Sequence, residues 1–345
     1  QLGISGLGTS FLLFGPDTVE SGPYAGTYTP FQNVPDPNCV ENNGILIPQA
    51  SGSRCGFVYG PRFNVVNDED HESIYGSFKT LLGNGNSFEI DYMSTAIDVN
   101  DNPQSPSYPA LSYLSPANLI MPGTGGSPFA VPVMWLGRAL GSAFPSPNAP
   151  REIETDRFSI GLSGDFDNGF DWDAHYTVSS EDFYGQQPDT STSKFSAAIK
   201  GNGGNSGNQT WDLFTPTNNS ADLIKWISTA QQTWTETELA VFDFVVTGEW
   251  GAMEIASGFQ YRDETFNVAR GASSIAQFDA DGNITVPADL LFLGGGLESN
   301  ASRDAMAVFI EGSINSSDKL EVNGALRYED LETDSSVNPK ISFRY

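Results

Sequence analysis

The sequence is poor in several things that chains of its length usually carry. No stretch approaches the 18 or so consecutive apolar residues of a membrane-spanning helix, which excludes an inner-membrane helical protein. That lack does not exclude a transmembrane barrel, whose strands are only about 10 residues long and alternate in character. Histidines number two, His71 and His175, far apart and with no Cys or His at ligand spacing around either, which argues against a zinc or nucleophilic centre. Basic residues are scarce, 16 against 43 acidic, for a net charge of −27. Such a field repels phosphate backbones and excludes nucleic acid as a partner. There is no initiator Met, basic n-region or apolar h-region at the start, so an export signal was removed or never included. No repeat of fixed period and no Ser/Gly linker divides the chain.

What remains is turn-rich and aromatic. There are 36 Gly and 21 Pro, and aromatics make up 12 % of the chain, the profile of an all-β protein with long loops. The two cysteines, Cys39 and Cys55, lie in loop-like sequence (PDPNC and SGSRCGF). They are expected to close one loop as a disulfide in an oxidising compartment, the alternative being two free thiols.

Period-2 alternation comes in pairs joined by tight turns. In "DRFSIGLSGDFDNGFDWDAHYTVSS", Phe158, Ile160 and Leu162 share one face, as do Phe170, Trp172, Ala174, Tyr176 and Val178 after the Asn168-Gly169 turn. The opposite face carries Asp171, Asp173 and His175. Similar pairs flank Gly83-Asn84-Gly85-Asn86, Trp250-Gly251 and Asn315-Ser316-Ser317-Asp318, and "PKISFRY" begins one further strand. The links between pairs, near 99–152, 184–237 and 267–302, are tens of residues long and rich in Gly, Pro, Asn and Ser. Strictly alternating short and long connections argue against a soluble sandwich. They suit an outer-membrane barrel with short turns at one rim and long extracellular loops at the other. Within the second link, "NNSADLIKWISTAQQTW" predicts a short helix capped by Asn219 or Ser220.

In a sandwich the apolar faces would form the core; in a membrane barrel they would meet lipid and the polar faces a wet lumen. Aromatics near the strand ends (Phe170, Trp172, Tyr176, Phe259, Tyr261, Tyr328, Tyr345) fit an interfacial girdle. The residues assigned to the lumen are Asp171, Asp173, His175, Gln260, Arg262, Glu264, Arg327 and Glu329.

The C-terminal stretch "AVFIEGSI…LEVNGALRYEDLETDSSVNPKISFRY" resembles the mid-barrel hairpin and next strand of TonB-dependent outer-membrane receptors. The likeness is carried by Ala325, Arg327, Tyr328, Glu329 and Asp330, then Asn338-Pro339-Lys340, and by "GEWGAMEIASGFQYRDETF" and the paired cysteines upstream. The resemblance implies an energised importer, a barrel of roughly 22 strands around a plug. It implies a bacterial outer-membrane location, contact with lipid and lipopolysaccharide, and no cofactor or enzymatic activity. It also implies coupling to the TonB complex through an N-terminal part not present here. Only about nine strands are countable and no plug segment is recognisable, so residues 1–345 read as an internal partial barrel, with 1–70 a first loop region and 71–345 hairpins and loops. The ligand implied is a siderophore, another metal chelate or an oligosaccharide.

Candidate ligand contacts are the loop aromatics Tyr108, Tyr113, Trp135, Trp211, Trp226 and Trp234, with loop self-packing as the alternative. "DVNDNP" (98–103) and "FDADGN" (278–283) carry partial calcium-loop patterns, for which turn chemistry is the simpler account. They keep open a second reading, a secreted soluble acidic β-rich binding or adhesion protein with calcium-binding loops. A barrel hydrolase lacks a catalytic set.

Overall fold

The computed structural model describes residues 3–109, 119–317 and 319–345. Nine strands form one antiparallel sheet in which every neighbour in space is a neighbour in sequence. They are β1 (Asp68–Gly83), β2 (Asn86–Asp101), β3 (Arg151–Asp165), β4 (Phe170–Thr190), β5 (Ser228–Trp250), β6 (Met253–Arg270), β7 (Ser299–Ser317), β8 (Leu320–Asp330) and β9 (Ser335–Arg344). The sheet is open, with β1 and β9 each paired on one side only. No helix among the described residues is long and apolar enough to cross a membrane, which says nothing of a barrel.

The short turns form where left-handed backbone is needed. Gly83, Asn84 and Gly85 have φ of 91°, 53° and 80°, and Gly169 and Gly251 have 82° and 68°. Glycine takes such angles without steric cost, and Asn is the next most tolerant residue. All these turns lie at one end of the sheet. The links at the other end span residues 102–150, 191–227, 271–298 and, between β8 and β9, only 331–334.

The three long links are shorter than the alternation predicts, because the strands run on into them. Gly185 to Thr190 of β4 pair with Thr233 to Ser228 of β5, although neither stretch alternates. Ladder hydrogen bonds join backbones and do not need a side-chain pattern. The predicted helix is confined to α2 (Ala221–Ile227), with Ser220 as its cap accepting from the Leu223 amide. The Ser228–Trp234 half of that segment is strand. A second helix, α1 (Thr192–Ile199), capped by Ser191, was not expected from the sequence.

Residues 3–63 are built of small sheets. Ser10–Leu13 lies between Asn33–Pro35 and Val133–Leu136, and Ser53–Val58 lies between Ile4–Ser5 and Ile45–Pro48. This segment joins the 119–149 and 191–227 stretches around a common dry core. Phe11 stacks on Phe214 at 4.2 Å, and Trp135, Trp211, Leu13 and Ile227 are fully buried beside them. We call this unit the cap. Cys39 and Cys55 are joined within it, their Cα atoms 5.8 Å apart.

Candidate functional site

One face of the sheet gathers charged side chains of both signs. Register places His175 opposite Asp243, Asp243 opposite Gln260, Gln260 opposite Ala307 and Ala307 opposite Glu329. Asp171, Asp173, Arg262, Glu264 and Arg327 stand on that same face, two or four residues along their strands.

Those of β5 to β8 form a connected network, beside which His175 and Asp173 make a separate pair. Arg262 donates to Glu329 at 2.8 Å and lies 3.5 Å from Glu264, which also accepts from Arg303. Arg327 donates to Gln260 Oε1 at 3.0 Å, and Gln260 Nε2 donates to Asp243 at 2.8 Å. His175 Nε2 lies 2.8 Å from Asp173. Its ring lies over Gly161, where a Cβ would come within 2.4 Å of it, so a larger residue there would displace the ring. Most of these groups are partly open, so each pair contributes little stability, about 0–1 kcal/mol. Their effect is a hydrated surface with both signs of charge. Towards the short-turn end this face holds a groove of about 600 Å³ bordered by Asp171, Glu254, Glu311, Asn323 and Lys340.

The loop aromatics are scattered rather than gathered. Trp135 and Trp211 are 1 % and 0 % exposed in the cap core and have no surface to offer a ligand. Apolar loop aromatics beside Phe11, Phe195 and Phe214 gain more by burial than by facing water. Trp226 packs against the same core, with Lys194 5.8 Å above its ring. Trp234 stacks on Tyr184 at 5.2 Å, on the sheet face opposite Asp243. Tyr113 lies outside the described residues. Among the described candidates, Tyr108 alone stands at a junction of links. It stacks on Phe292 at 4.8 Å, donates to Gln104 and accepts from Gln187, and burial raises its hydroxyl above the usual range.

Two features escape reading by motif. Arg138 is 5 % exposed, donates to Ser105 and to the Ser107 carbonyl, and lies 4.1 Å over the Phe57 ring, which Arg62 also approaches at 5.0 Å. Burial lowers its guanidinium to about 10. Its one signal in sequence is a lone arginine inside the apolar run "VPVMWLGRAL". The second feature is a pair of carboxylates tying the 271–298 link down. Asp189 accepts from the Phe292 and Leu293 amides at 3.0 and 2.8 Å. Asp289 accepts from Ser191 and Ser193 at the start of α1.

The calcium-like motifs are occupied by turn chemistry. Asn102 donates to the Ala149 carbonyl, fixing the end of β2. Asp279 accepts from the Asp281 and Asn283 amides, and the Asn283 bonds hold its carboxyl below the usual range. No cluster of three or more candidate ligands occurs among the described residues.

The family described as TonB dependent receptor-like, beta-barrel, matches residues 60–345. No curated protein matches the chain. Among solved structures, similarity extends to FpvA of P. aeruginosa bound to a pyoverdine, at 11 % identity and a TM-score of 0.45, over 80 % of this chain and 33 % of that one. The ferric-catecholate import receptor Fiu of E. coli K12 is similar at 11 % identity and 0.42, over 82 % and 41 %. The ferric enterobactin receptor PfeA of Pseudomonas aeruginosa, in complex with enterobactin, is similar at 10 % identity and 0.42, over 98 % and 42 %. The chain thus spans well under half the length of each. With the family matched over most of its residues, the chain belongs to the TonB-dependent receptor β-barrel family of outer-membrane proteins.

Proposed function

We propose that this chain forms part of the wall and the mouth of an importer that carries a scarce metal chelate, a ferric siderophore in the first instance, across the outer membrane. The observation that carries the reading is the division of the sheet. One face bears the connected polar network of Asp243, Gln260, Arg262, Glu264, Arg327 and Glu329, and the other is apolar over the half of the sheet towards the short turns. In water the apolar face of nine strands would stay uncovered, so a soluble binding protein is the weaker account. The polar face lines the wet lumen, with Asp171, Asp173 and His175 part of its wall.

Of the solved structures named above, FpvA is described bound to pyoverdines with iron and PfeA as a ferric enterobactin receptor, which makes iron chelates the first ligands to try. Tyr108, at the junction of two links, is the aromatic best placed to meet a ligand in the mouth. Energy comes from the TonB complex, through a part of the receptor outside this chain.

The test is uptake of iron-55 as ferric pyoverdine, ferric enterobactin and ferric citrate by iron-starved cells with and without the gene. TonB-dependent uptake of one chelate, lost on deletion, is the expected result. Equal uptake of all three in both strains sinks the proposal.

A further inference from the structure

The outward face of the sheet is sorted by charge in a way the alternation does not reveal. Every lysine and arginine of the nine strands, from Lys79 to Arg344, takes the polar-network face. The other face carries no cation. It has an apolar band towards the short turns and carboxylates beyond it, towards the long links.

Register rows show where the band stops. One row crosses the sheet as Phe78, Ile90, Ile160, Tyr176, Phe242, Tyr261 and Met306, and ends on β8 at Asp330. The next row towards the long links reads Tyr92, Phe158, Val178, Ala240, then Asp263 and Asp304. In the row after that the carboxylates have reached Asp156 and Glu238, and in the following one Glu72. From β8 to β1 the first outward carboxylate therefore climbs overall, though not at every strand: Asp182 on β4 and Asp98 on β2 each lie one row farther out than Asp156 on β3 and Glu72 on β1, respectively.

The slope of that climb is measurable. It rises three rows, about 20 Å at roughly 3.4 Å per residue, across seven strand spacings, about 34 Å at roughly 4.8 Å each. The edge of the apolar band is thus inclined by about 30° to the register rows, close to the strand tilt of about 35–45° in transmembrane barrels. A plane cut through tilted strands leaves such a staircase. Below the edge, the outward residues of β6 run from Met253 to Tyr261, about 27 Å along the strand and about 23 Å along the normal, against a usual apolar band of about 25 Å. Tyr92 bridges the edge, its ring in the band and its hydroxyl donating to Asp156 at 3.0 Å.

On the reading that this chain is a membrane barrel wall, we infer that this inclined line is the outer boundary of the hydrocarbon. The lipid-contacting surface of the chain ends there. The link-proximal parts of β3, β4 and β5, with Glu154, Asp182 and Glu236 outward, stand in the headgroup layer and water. Residues in one register row therefore lie at different depths: Val178 is in hydrocarbon while Asp304 is outside it.

Nitroxide labels placed singly at Val178→Cys, Asp304→Cys, Phe158→Cys and Asp263→Cys, in the receptor as expressed in outer membranes, test this. The native cysteines are joined and do not compete for label. Expected is relaxation dominated by oxygen at Val178 and Phe158, and by a water-soluble nickel complex at Asp304 and Asp263. Equal depths for the four row mates would overturn the inclined boundary. A Tyr176→Cys label, one row deeper, separates the two failures: if it too is reached only by nickel, the membrane reading itself falls. Each position is on the sheet surface, and the two pairs report independently if one variant assembles poorly.

Discussion

The cap and the sheet come from one chain and are stabilised in opposite ways. The cap buries Phe11, Trp135, Trp211 and Ile227 almost completely around a dry interior. The sheet has no such interior. Its apolar residues stay open, Val308 and Ile310 at about half exposure and Ile341 at 68 %. Its coherence comes from the ladder, in which β4 and β5 pair over 21 residues. The cap is packed as a water-exposed domain is, apolar side chains inward, while the sheet needs a second solvent to cover its outer face. Hydrophobic residues are inside in one and outside in the other.

The largest expected effect comes from breaking the cap alone. Trp211→Ala removes a fully buried ring and should destabilise the cap by about 3–5 kcal/mol. Urea unfolding followed by tryptophan fluorescence should show an early transition while β-sheet circular dichroism holds. Simultaneous loss of both signals would mean that the two regions are one cooperative unit.

Adjacent residues on β5 test the sheet. Phe244→Arg puts a charge on the apolar face and should cost about 2–3 kcal/mol in a bilayer. Val245→Arg, one residue on and among Asp173 and Asp243, should cost almost nothing. Folding yield into lipid vesicles reads both, and equal losses would contradict the assignment of faces.

A subtler contrast concerns pH at the junction of the two regions. Burial raises the Asp189 carboxyl above its ordinary 3.8, so the folded state binds the proton more readily than the unfolded chain. Its contribution is complete below the ordinary value and is lost as pH rises through the raised one. Proteolysis of the 271–298 link should accelerate across that window, and Asp189→Asn should flatten the step. A step that survives the substitution assigns it to another group.

The smallest effect is expected in the polar network. Arg262→Gln leaves Glu329 with Arg327 at 3.5 Å and water around it, so stability should change by less than about 1 kcal/mol. Thermal unfolding that shifts by much more would show that the network is dry and structural.

How much of this was legible beforehand follows from which interactions leave a pattern. The hairpins were, since Asn168-Gly169 and Gly83-Asn84-Gly85 supply left-handed turns between alternating runs. The shared face of Gln260, Arg262, Arg327 and Glu329 was also legible, because a period of two fixes it once the register is set. The strand extensions Gly185–Thr190 and Ser228–Thr233 were not, because backbone pairing carries no side-chain signature. The fate of the tryptophans was not either: an aromatic in a long link looks the same whether it meets a ligand or, like Trp135 and Trp211, another segment's core.

By itself the sequence determined the class of fold, the strand pairs and which residues share a face, since alternation and turn chemistry act over a few neighbouring residues. The tertiary structure decided what those faces met. It joined residues 3–63 to links more than a hundred positions away, which needs contacts that no local pattern encodes. It also set the stagger from strand to strand, and with it the inclined edge where Asp330, Asp304 and Asp156 succeed the apolar band. Register between strands is a property of the assembled sheet, so that edge exists only once all nine are in place.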